Sequence, residues 1–318
     1  MNRREDIEYV FVDDHSSDDS AAIVQRTMSG VASSRLIRLD ATTGLSAGRN
    51  AGMRTTSAPV VTFLDGDDWI SPGYLDDALE LFLQRDVDVM RVDHTRATAN
   101  RREVVRNPIG IRGVPVLARH HVLPVHRPSV IDFPTAWGGF YRRDFLERND
   151  LHFEESLLTA EDRDWWWRVV LADGRMSFED LNGYRYRRGV TNSLTQIGDE
   201  RQLHYFDSLA FALAAVSADR DAELLLPKLW RGYLSIVLSQ HRRSGRLHAR
   251  ARRLQARRNR EVLAGVPRDR MREILVGMGP WDVDELIALG MRVPDFSTIP
   301  LTPAPPRPGL PRFVRALA

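Results

Sequence analysis

The chain contains no cysteine and a single lysine, Lys228, among 318 residues. The first absence excludes a disulfide framework, a thiol nucleophile and any cysteine-ligated metal centre. It also fits a reducing compartment, so a cytoplasmic location is the expectation. The second means that nearly all of the 45 basic residues, set against 43 acidic ones, are arginine. No apolar run reaches the ~20 residues of a membrane-spanning helix, and residues 1–15 do not read as a signal peptide. The nine histidines show no metal-ligand spacing, and "RHH" at 119–121 reads as a polar loop. No internal repeat is visible. A hydrophobic content of 43% and a charged content of 28% are those of an ordinary globular chain, long enough for one large domain or a domain with an appendage.

What is present begins with order. "IEYVFVDD" and "PVVTFLDGDD" are short apolar runs ending in acids, as buried strands of a parallel sheet do. "RLIRLD" (35–40) and "VDVMRVD" (87–93) predict further strands. Helical patterns lie between them, one starting near Asp18 or Asp19, one over "SAGRNAGMRTT", and one over "SPGYLDDALELFLQRD". Asp18 and Asp19 read as helix caps rather than ligands. In the third helix Ser71 is the expected N-cap and Pro72 the first helical residue. The alternation predicts an α/β fold with a mostly parallel sheet flanked by helices. Residues 94–143 read as loops and edge strands, and 161–174 as a helix with a glycine stop. Beyond about residue 200 the pattern is helical, and the proline-rich 296–318 is expected to be extended or disordered.

Asp65, Asp67 and Asp68 sit together at the exit of one strand, and Asp13 and Asp14 close another. Ligands of open α/β sheets bind outside the carboxyl ends of the strands, so both clusters should face one crevice. Like charges this close call for a cation, and Mg2+ or Mn2+ is commonly held by one or two carboxylates together with substrate phosphates. A phosphate-accepting receiver domain would also carry an acidic pair there, but it needs a nearby lysine. Lys228 lies far outside the α/β segment.

A closer match exists. "YVFVDDHSSDDS", "GLSAGRNAGM", "VVTFLDGDDWISPGYL" and "FYRRDFLERNDLHFEESLLTAEDRDWWWRVV", in that order, resemble the inverting GT-A glycosyltransferases of family 2, which use nucleotide-diphosphate sugars. The resemblance covers about residues 5–195. It implies that Asp13 and Asp14 meet the base and ribose, that Gly44 lets the backbone approach the donor, and that Arg49 and Asn50 line the nucleotide pocket. It makes Asp65 and Asp67 the D-x-D pair for Mn2+ or Mg2+, with Asp67 the more direct ligand. It makes the pair Glu161 and Asp162 the source of the catalytic base, Asp162 first and Glu161 as the alternative. The implied reaction is a single displacement onto an acceptor hydroxyl of a glycan, polymer or lipid-linked acceptor, with no covalent sugar intermediate. Arg187, Arg188 and Ser193 are read either as diphosphate contacts or as surface residues. Trp137 is an equal candidate for a substrate wall or for core, and of Trp165, Trp166 and Trp167 at least one must be core.

The chain departs from the family at its front. Members usually open with an apolar strand and a helix, whereas "MNRRED" runs directly into the segment matching the second strand. Either the start is placed late or the sheet lacks its first strand–helix unit, leaving an uncovered position and a weakened nucleotide pocket. The expected division is a GT-A domain over 1–198, a helical region over 199–295 and the tail. Three uses stay open for the helical region: positioning the acceptor, forming a homodimer, or peripheral contact with the inner face of a membrane through the arginines of 242–272. The plainer reading of those arginines is a solvated helix face. No nucleic-acid partner is expected. A non-catalytic relative that binds nucleotide, glycan or a partner chain is the competing class.

Overall fold

The computed structural model describes residues 6–189 and 197–293; Ser193 and the proline-rich tail lie outside this range. The strands anticipated from the sequence are all there: β1 (Tyr9–Asp13), β2 (Ser34–Arg38), β3 (Val60–Thr62) and, after the two-residue β4 (Trp69–Ile70), β5 (Val89–Ala97). Between them lie α1 (Ser20–Met28), α2 (Leu45–Thr55) and α3 (Tyr74–Arg85). The irregular stretch that follows supplies β6 (Arg102–Val105), β7 (Val116–Leu117) and β8 (Gly139–Arg142). Then come α4 (Arg143–Arg148), α5 (Glu161–Leu171) and β9 (Arg175–Arg187).

The fold is α/β, with a mixed sheet. β1 and β2 form a separate parallel pair. The larger sheet runs β3-β8-β5-β9-β4, with β6 on β5 and β7 on β9, and β5–β9 is its parallel pairing. The departure from a mostly parallel sheet comes from β8, which enters antiparallel between β3 and β5, and from β4, β6 and β7, which pair antiparallel with β9 and β5. β5 can take partners on both edges because it is buried along nearly its whole length.

Two local expectations change. α3 starts at Tyr74, not at Pro72, with Gly73 at φ 78° before it. The Ser71 N–H is drawn to the Gly183 carbonyl at 2.8 Å, which keeps Ser71 in the sheet and out of the cap position. Asp19 stands at the N-cap of α1 but makes no side-chain cap bond; it is Asp18 whose Oδ1 accepts the Ser20 N–H at 3.0 Å.

Five helices complete the described chain: α6 (Tyr205–Ser217), α7 (Ala222–Arg242), α8 (Ala249–Ala264), α9 (Met271–Leu275) and α10 (Pro280–Ala288). They are not an appendage. One hydrophobic core runs from Val89 of β5 through α5 to Met291. All three tryptophans of α5 are buried, because they pack into the core shared with β5 and the C-terminal helices. Trp165 stacks on Phe153 and donates its Nε1–H to the Leu151 carbonyl. Trp166 donates to the Val130 carbonyl and lies under the Arg91 guanidinium. Trp167 completes the same core on the flank of the C-terminal helices. Arg119, read from sequence as part of a polar loop, is 6% exposed and binds Asp173 and the Leu171 carbonyl beside α5, together with Asp219 and Asp221 between α6 and α7.

The arginines of 242–272 are partly neutralised within the fold. Arg242 pairs with Asp282 and Glu285, Arg258 with Asp207, and Arg270 with Glu223 and Glu273. Among the described residues no helix is long and apolar enough to cross a membrane. Inside α7, a β-carbon added at Gly232 would meet nothing within 4 Å. Since glycine in a helix interior is less favourable than alanine, Gly232→Ala should raise stability by roughly 0.5–1 kcal/mol in urea unfolding. A loss of stability would show that the position is strained in a way its open surroundings do not suggest.

Candidate active site

Helix α2 builds the centre of the site. Ser46, Arg49 and Asn50 recur at helical spacing, share a face, and are all buried. That face is turned to the segment leading into α5. Ser46 Oγ donates to the Leu157 carbonyl at 2.9 Å. Asn50 uses its whole amide there, donating to the Phe153 carbonyl and Glu155 and accepting the Phe153 N–H at 2.9 Å. It therefore holds α2 to the 153–155 segment.

Arg49 is the buried cation that the clustered acids require. Its Nη1 donates to Glu161 at 2.8 Å and its Nη2 to Asp65 at 2.9 Å, while its guanidinium lies 5.2 Å from the centre of the Phe153 ring. Burial opposes its charge, but Asp65 and Glu161 outweigh burial and hold its pKa above the ordinary arginine value.

The remaining acids differ in what they touch. Asp68 is buried, accepts the Tyr184 hydroxyl at 2.7 Å and the Arg187 N–H at 2.6 Å, and burial pushes its pKa up to about 6. It ties the acidic turn to β9. Tyr184 also accepts the Asp65 N–H at 3.3 Å, so this tyrosine, which sequence reasoning missed, shapes the turn from a strand far along the chain. Asp67 is exposed at the tip of the turn. Asp162 is partly exposed and receives no hydrogen bond from any described residue. Burial of its carboxyl, reinforced by the charge of Glu161 and opposed by Arg163 and Arg49, pushes its pKa up to about 7. Asp65 raises it further, which places Asp162 within electrostatic reach of the D-x-D turn.

At the neighbouring strand exit, Asp14 holds the 42–44 loop: its Oδ1 accepts the Thr43 N–H at 2.7 Å and its Oδ2 the Gly44 N–H at 2.8 Å. Asp13 is buried, accepts the Ser16 N–H at 3.2 Å and pairs with Arg38 at 3.2 Å. Gly44 precedes α2 at φ 93°, ψ 172°, a backbone region open to glycine, and a β-carbon there would lie 2.7 Å from Leu158 Cδ2. Gly44→Ala should lower stability by roughly 1–3 kcal/mol, read as a shift of the denaturant midpoint; an unchanged midpoint would remove the steric reading of this residue. Trp137 resolves as core. It is 5% exposed, stacked on Tyr184 at 4.3 Å and on Tyr186 at 5.1 Å. Arg187 and Arg188 flank a shallow pocket beside Trp69, with the Arg187 guanidinium 5.1 Å from the Trp69 ring centre.

No group of three or more His, Asp or Glu among the described residues is placed to hold a metal ion. The residues still suit a cation that takes most of its ligands from a substrate. Asp67 is exposed at the turn, while Asp65 has one oxygen engaged by Arg49.

Residues 1–149 match the family described as Glycosyl transferase family 2. Over this stretch, just under half of the chain, it is similar to that family. Two curated relatives are similar over a longer span. The uncharacterized glycosyltransferase EpsJ of Bacillus subtilis is 29% identical over 196 residues, 60% of this chain and 55% of its own length. The succinoglycan biosynthesis protein ExoU of Rhizobium meliloti is 26% identical over 234 residues, 68% of this chain and 64% of its own. The chain thus spans between about half and two thirds of these relatives. In three dimensions it is similar to Staphylococcus aureus TarS 1–349 crystallised with UDP-GlcNAc, with TM-score 0.70 and 19% identity over 89% of this chain and 79% of that one. The fold is therefore GT-A, with a helical C-terminal part.

Proposed function

We infer that the chain transfers a sugar from a nucleotide-diphosphate donor to an acceptor hydroxyl by a single inverting displacement. The observation that carries this reading is the division of labour between two adjacent carboxylates. Glu161 is locked to Arg49, whereas Asp162 receives no hydrogen bond from a described residue, has its pKa raised to about 7, and feels the charge of Asp65 in the acidic turn. A base that must hold a proton briefly works best with a pKa near the operating pH. Asp162 takes the proton of the acceptor hydroxyl as that oxygen attacks the anomeric carbon, and the nucleotide diphosphate leaves from the opposite face. Arg49 holds Glu161 and Asp65 in place through one hydrogen bond to each. A divalent cation held by Asp67 and the donor phosphates would supply charge neutralisation on the leaving diphosphate.

Relatives support the setting. Staphylococcus aureus TarS, a poly(ribitol-phosphate) beta-N-acetylglucosaminyltransferase, is crystallised with UDP and with UDP-GlcNAc. With ExoU a succinoglycan biosynthesis protein, the reading extends to a cell-envelope or extracellular polymer as acceptor.

The test is calorimetric titration of UDP, GDP, CDP and dTDP into the chain, with and without Mn2+. One base should bind selectively, and more tightly with the ion. Absence of binding by all four would leave a non-catalytic relative as the better reading, and binding unaffected by Mn2+ would remove the metal from the scheme.

A further inference from the structure

Helices α5, α6 and α7 and the turn at Val130–Asp132 enclose a cavity of about 360 Å³ that the donor site does not use. Trp167, Leu209, Ala212 and Tyr233, all buried, give it an apolar floor. Its charged lining is basic. Arg163 and Arg243 line it, and neither forms an ion pair or a side-chain hydrogen bond with any described residue. Lys228, only 3% exposed, uses two of its N–H groups on Asp132 and the Arg127 carbonyl, each at 2.7 Å. Asp132 is the only acid among the described lining residues and is set against Lys228, which leaves the two guanidiniums without a salt-bridge partner among the described residues, although the charge of Arg163 also acts on Asp162.

Gly232 adds an independent observation. It stands inside the 21-residue α7 and lines this cavity, and a β-carbon on it would meet nothing within 4 Å. Neither a turn nor a close backbone approach calls for glycine there, and the helix would be firmer with alanine. What the glycine does is leave the cavity wall clear.

We propose that this cavity binds an anionic group, phosphate or carboxylate, carried by the acceptor; that the ligand is the acceptor rests on the sugar-transfer reading above. The location suits that use. Arg163 follows Asp162 on α5, and Ser208 of the lining donates its Oγ–H to the Ala160 carbonyl at the start of the same helix. The wall of the cavity and the base thus share one helical turn. A guanidinium presents paired donors that match the oxygens of a phosphate or carboxylate. Two of them over an apolar floor would hold such a group while the neighbouring sugar hydroxyl faces Asp162.

The experiment is calorimetry at low salt on the full chain, with three oligomers of equal length: a glycerol-phosphate chain, a galacturonate chain and a neutral malto-oligosaccharide. At least one anionic oligomer should bind, the neutral one at least tenfold more weakly, and the anionic arm that binds names the group. Arg163→Gln with Arg243→Gln should weaken that binding about 10- to 100-fold. Gly232→Leu should abolish it by filling the cavity, while Gly232→Ala should leave it within about twofold, the methyl alone taking little of the space. Arg252→Gln with Arg253→Gln, on the exposed face of α8, should leave it unchanged, which separates the cavity from general attraction of polyanions to arginine. Nucleotide-diphosphate binding should persist in every variant and serves as the check that each has folded. The proposal is overturned if neither anion binds, if the neutral oligomer binds as well, if anion binding survives in folded Gly232→Leu, or if the α8 variant loses as much as the cavity variant. Failure of wild type to bind any nucleotide diphosphate would instead overturn the sugar-transfer reading, leaving the anion result to stand by itself.

Discussion

Asp162→Asn should remove turnover by a factor of about 10²–10⁴ while donor binding stays as it was. Asparagine keeps the shape of the side chain and cannot accept the proton. Because Asp162 receives no hydrogen bond from a described residue, little structure depends on its charge. Stability supplies a second readout with the opposite sign. Burial raises the pKa of Asp162 in the folded chain above its unfolded value, so this group costs stability as the pH rises from about 4, the unfolded carboxylate value, to about 7, and the full cost of the buried charge is present above that. Removing that charge should leave the melting temperature at pH 8 no lower than wild type, whereas a purely structural acid would lose stability with its function. In wild type, kcat/KM should fall about tenfold per pH unit below about pH 7, as protonation removes the base. If Asp162→Asn keeps full turnover and Glu161→Gln loses it, the base has been assigned to the wrong member of the pair.

Arg49→Gln should be the most destabilising single change in the site. Arg49 is buried between Glu161 and Asp65, and glutamine would leave both carboxylates without their cation. Breaking a buried ion pair by removing one partner costs about 3–5 kcal/mol, since the desolvated charge stays behind. Urea unfolding at neutral pH would measure it, and a loss below about 1 kcal/mol would mean that water reaches these groups freely enough to screen them. A pH effect follows as well. Arg49 lowers the pKa of Asp162, so any activity left in Arg49→Gln should have its acid limb moved to higher pH.

The parts of this site that could be read from the sequence are those whose signal is local. An apolar run closing in acids marks a buried strand and its exit, and β1, β3 and the Asp65–Asp68 turn appear where that pattern stands. The grouping of Arg49 with Asp65 and Glu161 was legible only through resemblance, because Glu161 lies 112 residues from Arg49 in the chain. What Asn50 and Asp14 actually hold could not be read at all. Their partners are backbone groups of distant loops, at Phe153 and at Thr43 and Gly44, and a backbone N–H leaves no mark in composition or spacing. The insertion of β8 was hidden for a related reason. Its burial comes from both neighbouring strands, so "GFYR" shows neither clean alternation nor a long apolar run. The same holds for the start of α3, where a strand carbonyl at Gly183 competes successfully with a good cap sequence.

The tryptophans of α5 carry a consequence for how the protein comes apart. They pack into one core that also contains Val89 on one side and Leu234 and Leu286 on the other. The helix bearing Glu161 and Asp162 therefore owes its burial to the C-terminal helices as well as to β5. The acids at the strand exits belong to one half of the chain, and the helix that answers them is clamped from the other. Loosening of the C-terminal helices would consequently reach the reaction centre as a loss of alignment between Asp162 and Asp65, with every side chain of the acidic turn still in place.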